Sequence, residues 1–98
     1  MILTQLEAAG MLGYTSINDV PVERLNIIMP FVDDYIKTAT GRDWAGDISI
    51  DPTAKMLASV LLVRWFDDPG QIGKIPDNDI GVRGLIGQLH AKALEVME

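Results

Sequence analysis

Apolar residues recur every three or four positions in the second quarter of the chain, which is the spacing of an amphipathic helix. The pattern predicts a helix from about Val22 to Ala39. Its main apolar stripe consists of Val22, Leu25, Met29, Val32, Ile36 and Ala39. A second apolar set adjoins the stripe and consists of Ile27, Ile28, Phe31 and Tyr35. Together the two sets cover more than half of the circumference, so we expect this helix to contact neighbours on more than one side.

Pro30 falls within this predicted helix, on its polar arc. A proline in a helix interior removes one backbone hydrogen bond and crowds the preceding turn, so a kink or a local break is expected near Phe31. Because the apolar stripe continues in phase past the proline, the pattern favours one kinked helix over two separate helices.

Capping residues predict a short helix before the long one. Thr4 and Glu7 have the spacing of a capping box, and Gly13 is suited to ending the helix that they begin. Asn18, Asp19 and Pro21 then predict the start of the long helix, because the Asx side chains can accept hydrogen bonds from the free N–H groups of a first turn and proline is tolerated there.

A third helix is predicted from Pro52 to about Asp67, with Asp51 as its N-terminal cap. One of its faces is formed by Ala54, Ala58, Leu61, Leu62 and Trp65, and a nearly opposite face by Met56, Val60 and Val63. A helix that is apolar nearly all round is normally the buried centre of its assembly, so we expect this helix to be central.

The last helix is predicted from about Ile80 to the C-terminus, with Asp79 as its cap. Its apolar arc consists of Val82, Leu85, Ile86, Leu89, Ala93, Val96 and Met97, and three glycines weaken its first turns. The segment from Gln71 to Asn78 contains Gly and Pro and is expected to be a short extended link, with Ile72 and Ile75 as packing anchors.

The predicted architecture is therefore all-α. It is a single domain spanning residues 1–98, a small bundle of four to five helices with a long second helix and a central third helix. A chain of 98 residues has room for one core. Its 48% hydrophobic and 22% charged residues are in the range of folded globular proteins.

Two of the predicted helices require burial around most of their circumference, and a bundle of this size has few elements to provide it. Self-association resolves the difficulty most simply. If a patch on one subunit meets a different patch on the next, the contact is head-to-tail and closes into a ring when the rotation allows. The alternative is that the first and last helices cover both faces within one chain.

The net charge is −6, from 8 Lys and Arg against 14 Asp and Glu. Proteins that hold nucleic acid do so largely by neutralising phosphates with basic side chains, so tight non-specific DNA binding is not expected. The chain has no signal-peptide pattern at its start, and its longest apolar run, Met56 to Phe66, is too short for a membrane span. We expect a protein that does not enter membranes.

Residues with catalytic or metal-binding chemistry are few. There is no cysteine, and the one histidine, His90, has no matched nucleophile or base near it in the sequence. The segment Asp77 to Asp79 lacks the ligand spacing of a calcium loop and is better explained as a turn and helix cap. The sequence therefore predicts no enzyme activity, no metal and no cofactor.

Three segments in a fixed order carry a likeness to a known family: VERLNIIMPFVDDYIKTATGRDW (Val22 to Trp44), DPTAKMLASVLLVRWFDDPG (Asp51 to Gly70) and IGVRGLIGQL (Ile80 to Leu89). In this arrangement the chain resembles the head-tail connector proteins of long-tailed phages and prophages, which are also described as DNA packaging proteins. The likeness covers nearly the whole chain. The chain departs from the family pattern at Pro30 and in the glycine content of its last helix.

The resemblance implies a helical subunit of a ring beneath the portal, in the virion at the head-tail junction and made in the bacterial host cytoplasm. Its partners would be other copies of the same chain, the portal protein and a tail-completion or other head-completion protein. DNA would pass through the ring without specific binding. One alternative is a small helical DNA-binding regulator, because short helices joined by tight turns can resemble a helix-turn-helix. Another is a general protein-interaction module.

Arg42 and Trp44 are candidates for the subunit or partner interface, because they follow a helix end where a loop residue can face a partner. A guanidinium beside an indole is a common interface anchor. The alternative is that Trp44 folds back onto its own core.

Arg64, Lys74 and Arg83 are the remaining interface candidates. Arg64 is on the third helix with Asp68 four residues later, so an ion pair within the helix is the alternative to a subunit contact. Lys74 and Arg83 flank the link before the last helix, where they could meet acidic residues of a neighbouring ring.

Overall fold

A computed structural model describes residues 1–75 and 79–97, and this part of the chain contains four α-helices. In chain order they are α1 (Gln5–Met11), α2 (Val22–Thr40), α3 (Pro52–Asp67) and α4 (Ile80–Met97). Single turns of 3-10 helix are formed by Ile17–Asp19, Trp44–Gly46 and Pro69–Gln71. The prediction of an all-α bundle with a long second helix is confirmed.

At the starts of three of the four helices, the capping residue is the one predicted from the sequence. The backbone N–H of Glu7 donates to the Thr4 hydroxyl at 3.1 Å, and the Thr4 N–H donates to the Glu7 carboxylate at 3.0 Å, so the capping box of α1 is complete. The Thr53 N–H donates to the Asp51 carboxylate at 2.7 Å, and the Val82 N–H donates to the Asp79 carboxylate at 3.0 Å. These contacts satisfy N–H groups that have no partner within the helix.

The expected Asx cap of α2 is wrong. Asn18 and Asp19 belong to the 3-10 turn before the helix, and the cap position is taken by Pro21, which makes no side-chain cap hydrogen bond. The reason is that Val20 is buried, and this residue and Pro21 separate the Asx pair from the first helical turn.

Pro30 does not interrupt α2, which is continuous from Val22 to Thr40. The preference for one helix over two is therefore confirmed. Pro30 is exposed, so solvent can reach the carbonyl of Asn26, which has no N–H partner at position 30. An interior proline on this side costs the helix less than one facing the core would.

The core is centred on α3, which packs against each of the other three helices. Its fully buried residues are Ala54, Leu57, Ala58, Leu61, Leu62 and Trp65. The indole of Trp65 packs edge-on against the ring of Tyr35 from α2, with ring centres 5.4 Å apart. The predicted central position of α3 is therefore confirmed.

The link after α3 contains no strand in its described part, and the segment expected to be extended from Gln71 begins instead at the end of a 3-10 turn. Asp68 instead accepts a hydrogen bond from the Gly70 N–H at 3.1 Å and starts a 3-10 turn. Ile72 and Ile75 pack against the core as half-buried anchors. Positions 76–78 of the predicted link, which include Asp77 and Asn78 of the rejected calcium loop, lie outside the described residues.

The molecule measures 44 × 32 × 18 Å. Its shortest dimension corresponds to about two layers of helices, because packed helix axes lie roughly 8–10 Å apart. In a slab of this thickness the inner faces of the helices are buried, while the outer faces of α2 and α3 are left at the surface.

Candidate interaction surface

The outer face of α2 carries exposed apolar side chains. Ile27 is 62% exposed and Phe31 is 54% exposed, and both lie roughly 120–160° around the helix from its buried face, at about 100° per residue. Asp34 and Thr38 continue the same line of exposed residues toward the C-terminal end. We call Ile27, Phe31, Asp34 and Thr38 the α2 stripe.

The outer face of α3 forms one wall of a groove with a volume of about 720 Å³, and the end of α1 with the loop after it forms the other wall. We call it the α1–α3 groove. It is lined by Met11, Leu12, Tyr14, Met56, Ser59, Val60, Val63, Arg64, Phe66 and Asp67. Met11, Met56 and Val63 are exposed at its rim. The groove is therefore mainly apolar and open to solvent.

The apolar surface continues beyond this groove toward the N-terminal end of α3. A second hollow of about 390 Å³ shares Met11 and Met56 with the groove and is also lined by Leu6, which is 72% exposed. The ion pair between Lys55 and Glu7, 2.7 Å long, crosses from α3 to α1 beside this hollow. The Lys55 ammonium, followed by the Thr4 N–H, holds the pKa of Glu7 below its ordinary value.

The α2 stripe and the α1–α3 groove are separate surfaces that share no residue. The two helices pack against each other through their buried faces. Ile27 points away from the buried face of α2, and Met56 and Val63 lie roughly 170° from the buried face of α3. The stripe and the groove are therefore on the outward faces of two neighbouring helices, and Arg24, which precedes Ile27 by one turn on α2, lies over the ring of Phe66 in the groove.

Arg64 is the basic residue of the groove. Its guanidinium donates to the carboxylate of Asp79 at the start of α4, so the helices α3 and α4 are joined at this point. The Val82 N–H, then Arg64 and Arg83, hold the pKa of Asp79 below its ordinary value. The second terminal nitrogen of Arg64 is buried and has no hydrogen-bond partner among the described residues.

The expected pairing of Arg64 with Asp68 is wrong. The Asp68 carboxylate accepts from the Gly70 N–H, while Arg64 reaches Asp79, which is 15 residues away in the sequence. The physical reason is that Asp68 follows the last turn of α3 with an extended backbone, which turns it away from the helix surface that Arg64 occupies.

Trp44 lies in the core, which is the second of the two alternatives left open for it. It is 3% exposed, and its indole N–H donates to the Thr40 hydroxyl at 2.9 Å. Arg42 covers the indole ring at 4.3 Å and pairs with Asp47 at 2.9 Å. Arg42 is therefore the surface member of this pair, and Trp44 is not available to a partner unless the loop opens.

Lys74 and Arg83 are both exposed. The backbone carbonyl of Lys74 accepts a hydrogen bond from the Trp65 indole at 3.2 Å, so the main chain of this residue supports the core while its side chain faces solvent. Of the five predicted interface residues, Arg42 and Trp44 lie together, Arg64 and Arg83 both act on the Asp79 carboxylate at the start of α4, and Lys74 is in the link before that helix. The residues of α1 that complete the groove were not predicted.

Most of the basic side chains are engaged within the chain. Within the described residues, acidic or carbonyl oxygens are contacted by at least Arg24, Arg42, Lys55, Arg64 and Lys92. Lys92 reaches Asp51 at 3.1 Å, and Arg24 also lies over the ring of Phe66 at 4.4 Å. Their charge is used in joining helices, so the described surface presents few isolated cations.

Within residues 1–75 and 79–97, no three His, Asp or Glu side chains are grouped so that they could hold a metal ion. No helix there has both the length and the hydrophobicity needed to cross a membrane.

Comparison of the chain with protein-family models, with curated proteins and with solved structures finds no match. The likeness to head-tail connectors therefore depends on the three sequence segments alone, and their residues have structural roles in this fold. Gly41 ends α2 with a left-handed backbone, φ 80°, while Trp65 and Val82 are buried in the core.

Proposed function

We propose that this protein is a structural subunit that assembles with copies of itself into a ring, and that the ring is a head-tail connector of a long-tailed phage or prophage. The observation that carries the proposal is the apolar surface that remains uncovered on the outer faces of both α2 and α3. Ile27, Phe31, Met56 and Val63 lie on these faces, and all four are exposed.

The position of these surfaces supports a ring in particular. Burying apolar area contributes roughly 25 cal/mol per Å², and exposed apolar patches on soluble proteins often mark interaction sites. Two different patches on one subunit are suited to a head-to-tail contact, in which every subunit uses both. Such contacts close into a ring when the rotation between neighbours divides a full turn.

The charge of the chain supports a passage for DNA rather than a grip on it. The net charge is −6, and most basic side chains are paired within the chain. A surface of this kind repels phosphates, as a conduit through which DNA slides requires. In this role the ring would contact the portal on one side and a tail-completion or other head-completion protein on the other, in the virion.

The alternatives differ in what supports them. A helical DNA-binding regulator needs a helix that presents basic residues, and no described feature favours it. A general protein-interaction module would use the same apolar surfaces and would differ only in its partners. The experiment must therefore test self-association, portal binding and DNA binding separately.

Sedimentation velocity over a wide concentration range tests self-association, and co-sedimentation with purified portal rings tests the proposed partner. We expect the mass to rise with concentration, or on addition of portal, toward a closed multiple of the subunit. A chain that remains monomeric at every concentration and does not bind portal contradicts the proposal. Fluorescence anisotropy with duplex DNA at low salt should show no tight binding; tight binding that weakens steeply with salt would favour the regulator.

A further inference from the structure

We propose that the first three residues form a strap that opens from the bundle while the rest of the chain stays folded, and that the carboxylate of Asp33 beneath the strap favours the open state. We call Met1, Ile2 and Leu3 the N-terminal strap. Its opening belongs to the single chain and does not require the proposed ring.

The N-terminal strap covers a cleft between α2 and α3. Ile2 is 2% exposed and Leu3 is 4% exposed, whereas Met1 is at the surface. Leu3 closes over the cleft, whose other lining residues are Met29, Val32, Asp33, Ala58 and Leu62. All of these except Asp33 are buried core residues. An open strap therefore uncovers part of the core.

The strap ends at Thr4, where α1 has its own fastening. Thr4 has an extended backbone, φ −76° and ψ 162°, and its N–H donates to the Glu7 carboxylate of α1. The helix is held separately by the ion pair from Glu7 to Lys55 of α3 and by the burial of Ala8 and Ala9. The chain can therefore turn outward at Thr4 while the capping box and α1 stay in place.

The strap is held by the burial of two apolar side chains and by a hydrogen bond from the Ile2 N–H to the Asp33 carboxylate, at 3.2 Å. Terminal segments with so few contacts are the ones that open locally in native proteins. The bundle beneath it is held by three longer helices that pack on one another. Opening of the strap should therefore be more frequent than unfolding of the bundle.

The Asp33 carboxylate opposes closure of the strap. A carboxylate that loses water needs a cation or several donors as compensation, and the Ile2 N–H is one neutral donor. Burial raises the pKa of Asp33, and the Ile2 hydrogen bond and the Met1 ammonium offset this only in part. Asp33 therefore binds its proton more tightly in the closed state than in the open state, where water reaches it.

The other groups around Asp33 do not reverse this effect. The Asp43 carboxylate, in the loop after α2, raises the pKa of Asp33 further. On α2 itself, Asp34 is adjacent and Lys37 is one turn further on, and both are exposed. The residues that α3 contributes to the cleft are apolar. Ionisation of Asp33 consequently shifts the strap toward the open state, and protonation shifts it toward the closed state.

Thiol labelling tests this opening, because the chain has no cysteine of its own. Ala58→Cys places a thiol beneath the strap, and Ala93→Cys places one in the part of the core that α4 forms. Ala8→Cys reports whether α1 moves with the strap. The three variants carry the same substitution at buried positions, and their reaction with an aromatic disulfide reagent is followed at pH 7.

We expect the thiol of Ala58→Cys to react about tenfold faster or more than those of Ala93→Cys and Ala8→Cys, because the strap opens more often than the bundle unfolds. Adding Ile2→Ala, which removes a buried side chain of the strap, should speed the Ala58→Cys reaction further. Circular dichroism melting verifies that each variant is folded, and Leu3→Cys is the second reporter of the same opening.

Asp33→Asn in the Ala58→Cys chain should slow labelling several-fold, since the amide carries no charge to bury and still accepts from the Ile2 N–H. Asp34→Asn is the matched control at the exposed neighbouring position and should leave the rate unchanged.

Three outcomes would overturn the proposal. Equal rates at the three thiols would show that the core is exposed by global unfolding alone. Labelling of Ala8→Cys as fast as that of Ala58→Cys would show that α1 opens together with the strap. Faster labelling after Asp33→Asn would show that the carboxylate holds the strap closed.

Discussion

The indole nitrogen of Trp44 donates a hydrogen bond to the hydroxyl oxygen of Thr40 over 2.9 Å, and that hydroxyl donates in turn to the carbonyl of Ile36 at 2.6 Å. Both Trp44 and Thr40 are buried. The turn after α2 is thereby tied to the last turn of the helix. A ring nitrogen of His90 lies 3.3 Å from the Thr40 carbonyl, so α4 meets α2 at the same place.

Replacing Thr40 by Val should lower the free energy of unfolding by about 1–3 kcal/mol, because a buried indole N–H loses its acceptor while the shape of the side chain is kept. Trp44→Phe removes the donor and much of the ring contact as well. In the double variant the two effects should not add, since both delete the same hydrogen bond. Urea denaturation of the single and double variants measures this coupling.

Arg42→Ala is the matched control for that pair, because Arg42 lies over the indole but is at the surface and only half-buried. We expect it to cost less than about 1 kcal/mol, as partly exposed ion pairs and cation–π contacts usually do. A loss as large as that of Thr40→Val would show that the guanidinium, and not the buried hydrogen bond, holds the turn.

Leu61 tests the central position of α3. It is fully buried, so Leu61→Ala should cost about 2–5 kcal/mol, and Leu61→Asp should abolish folding because it places a charge in the core. Met56 is on the same helix but 55% exposed, so Met56→Ala should change monomer stability by no more than about 0.5–1 kcal/mol. Thermal melting at low protein concentration compares the three, and equal losses for Leu61→Ala and Met56→Ala would place the core elsewhere.

Asp33 should make the stability of the protein decrease, rather than increase, as its carboxyl group ionises. Burial raises the pKa of its carboxyl above the ordinary 3.8, and this outweighs the hydrogen bond from the Ile2 N–H at 3.2 Å. The folded state therefore binds the Asp33 proton more tightly than the unfolded state does. Above the pKa of Asp33 in the folded state, the ionised carboxylate lowers the free energy of unfolding. This destabilisation disappears as the pH falls below the pKa that Asp33 has in the unfolded state.

Asp33→Asn keeps an acceptor for Ile2 and removes the charge, so we expect it to raise the free energy of unfolding at pH 7 and to have little effect near pH 3. Denaturant titrations at the two pH values measure the difference. Glu7 has the opposite sign: its lowered pKa contributes stability above 4.5 that is lost as the pH falls. A stability gain from Asp33→Asn that is larger at pH 3 than at pH 7 would contradict the assigned direction.

The features that could be predicted from the sequence are those set by neighbouring residues. The Thr4–Glu7 box, the Asp51 and Asp79 caps and the apolar spacing of α2 all act within a few positions, and they located the helices. The exposed outer faces followed from the same periodicity, because the circumference of a helix can be read from its spacing.

The features that could not be predicted depend on contacts far apart in the chain. Lys55 meets Glu7 across 48 positions, where α1 packs beside α3 and the groove is formed. Arg64 pairs with Asp79 rather than with Asp68 because α4 returns to that side of α3. Trp44 had two equally available directions, since a loop after a helix end can face inward or outward with little local difference.

Two glycines of α4 have room for a larger side chain. Gly84 and Gly87 are exposed in the helix interior, and a Cβ added at either would meet no heavy atom within 4 Å. Because alanine has fewer unfolded conformations to lose, Gly84→Ala and Gly87→Ala should each raise the free energy of unfolding by about 0.5–1 kcal/mol. Gly41→Ala should do the reverse and cost about 1–2 kcal/mol, because Gly41 has φ 80°, where a side chain is strained although space is free. Thermal melting of the three variants decides the matter. If all three substitutions were stabilising, the left-handed end of α2 would not be needed to direct the chain toward Trp44. If Gly84→Ala were destabilising in an unassembled monomer, α4 would not be a regular helix at that position.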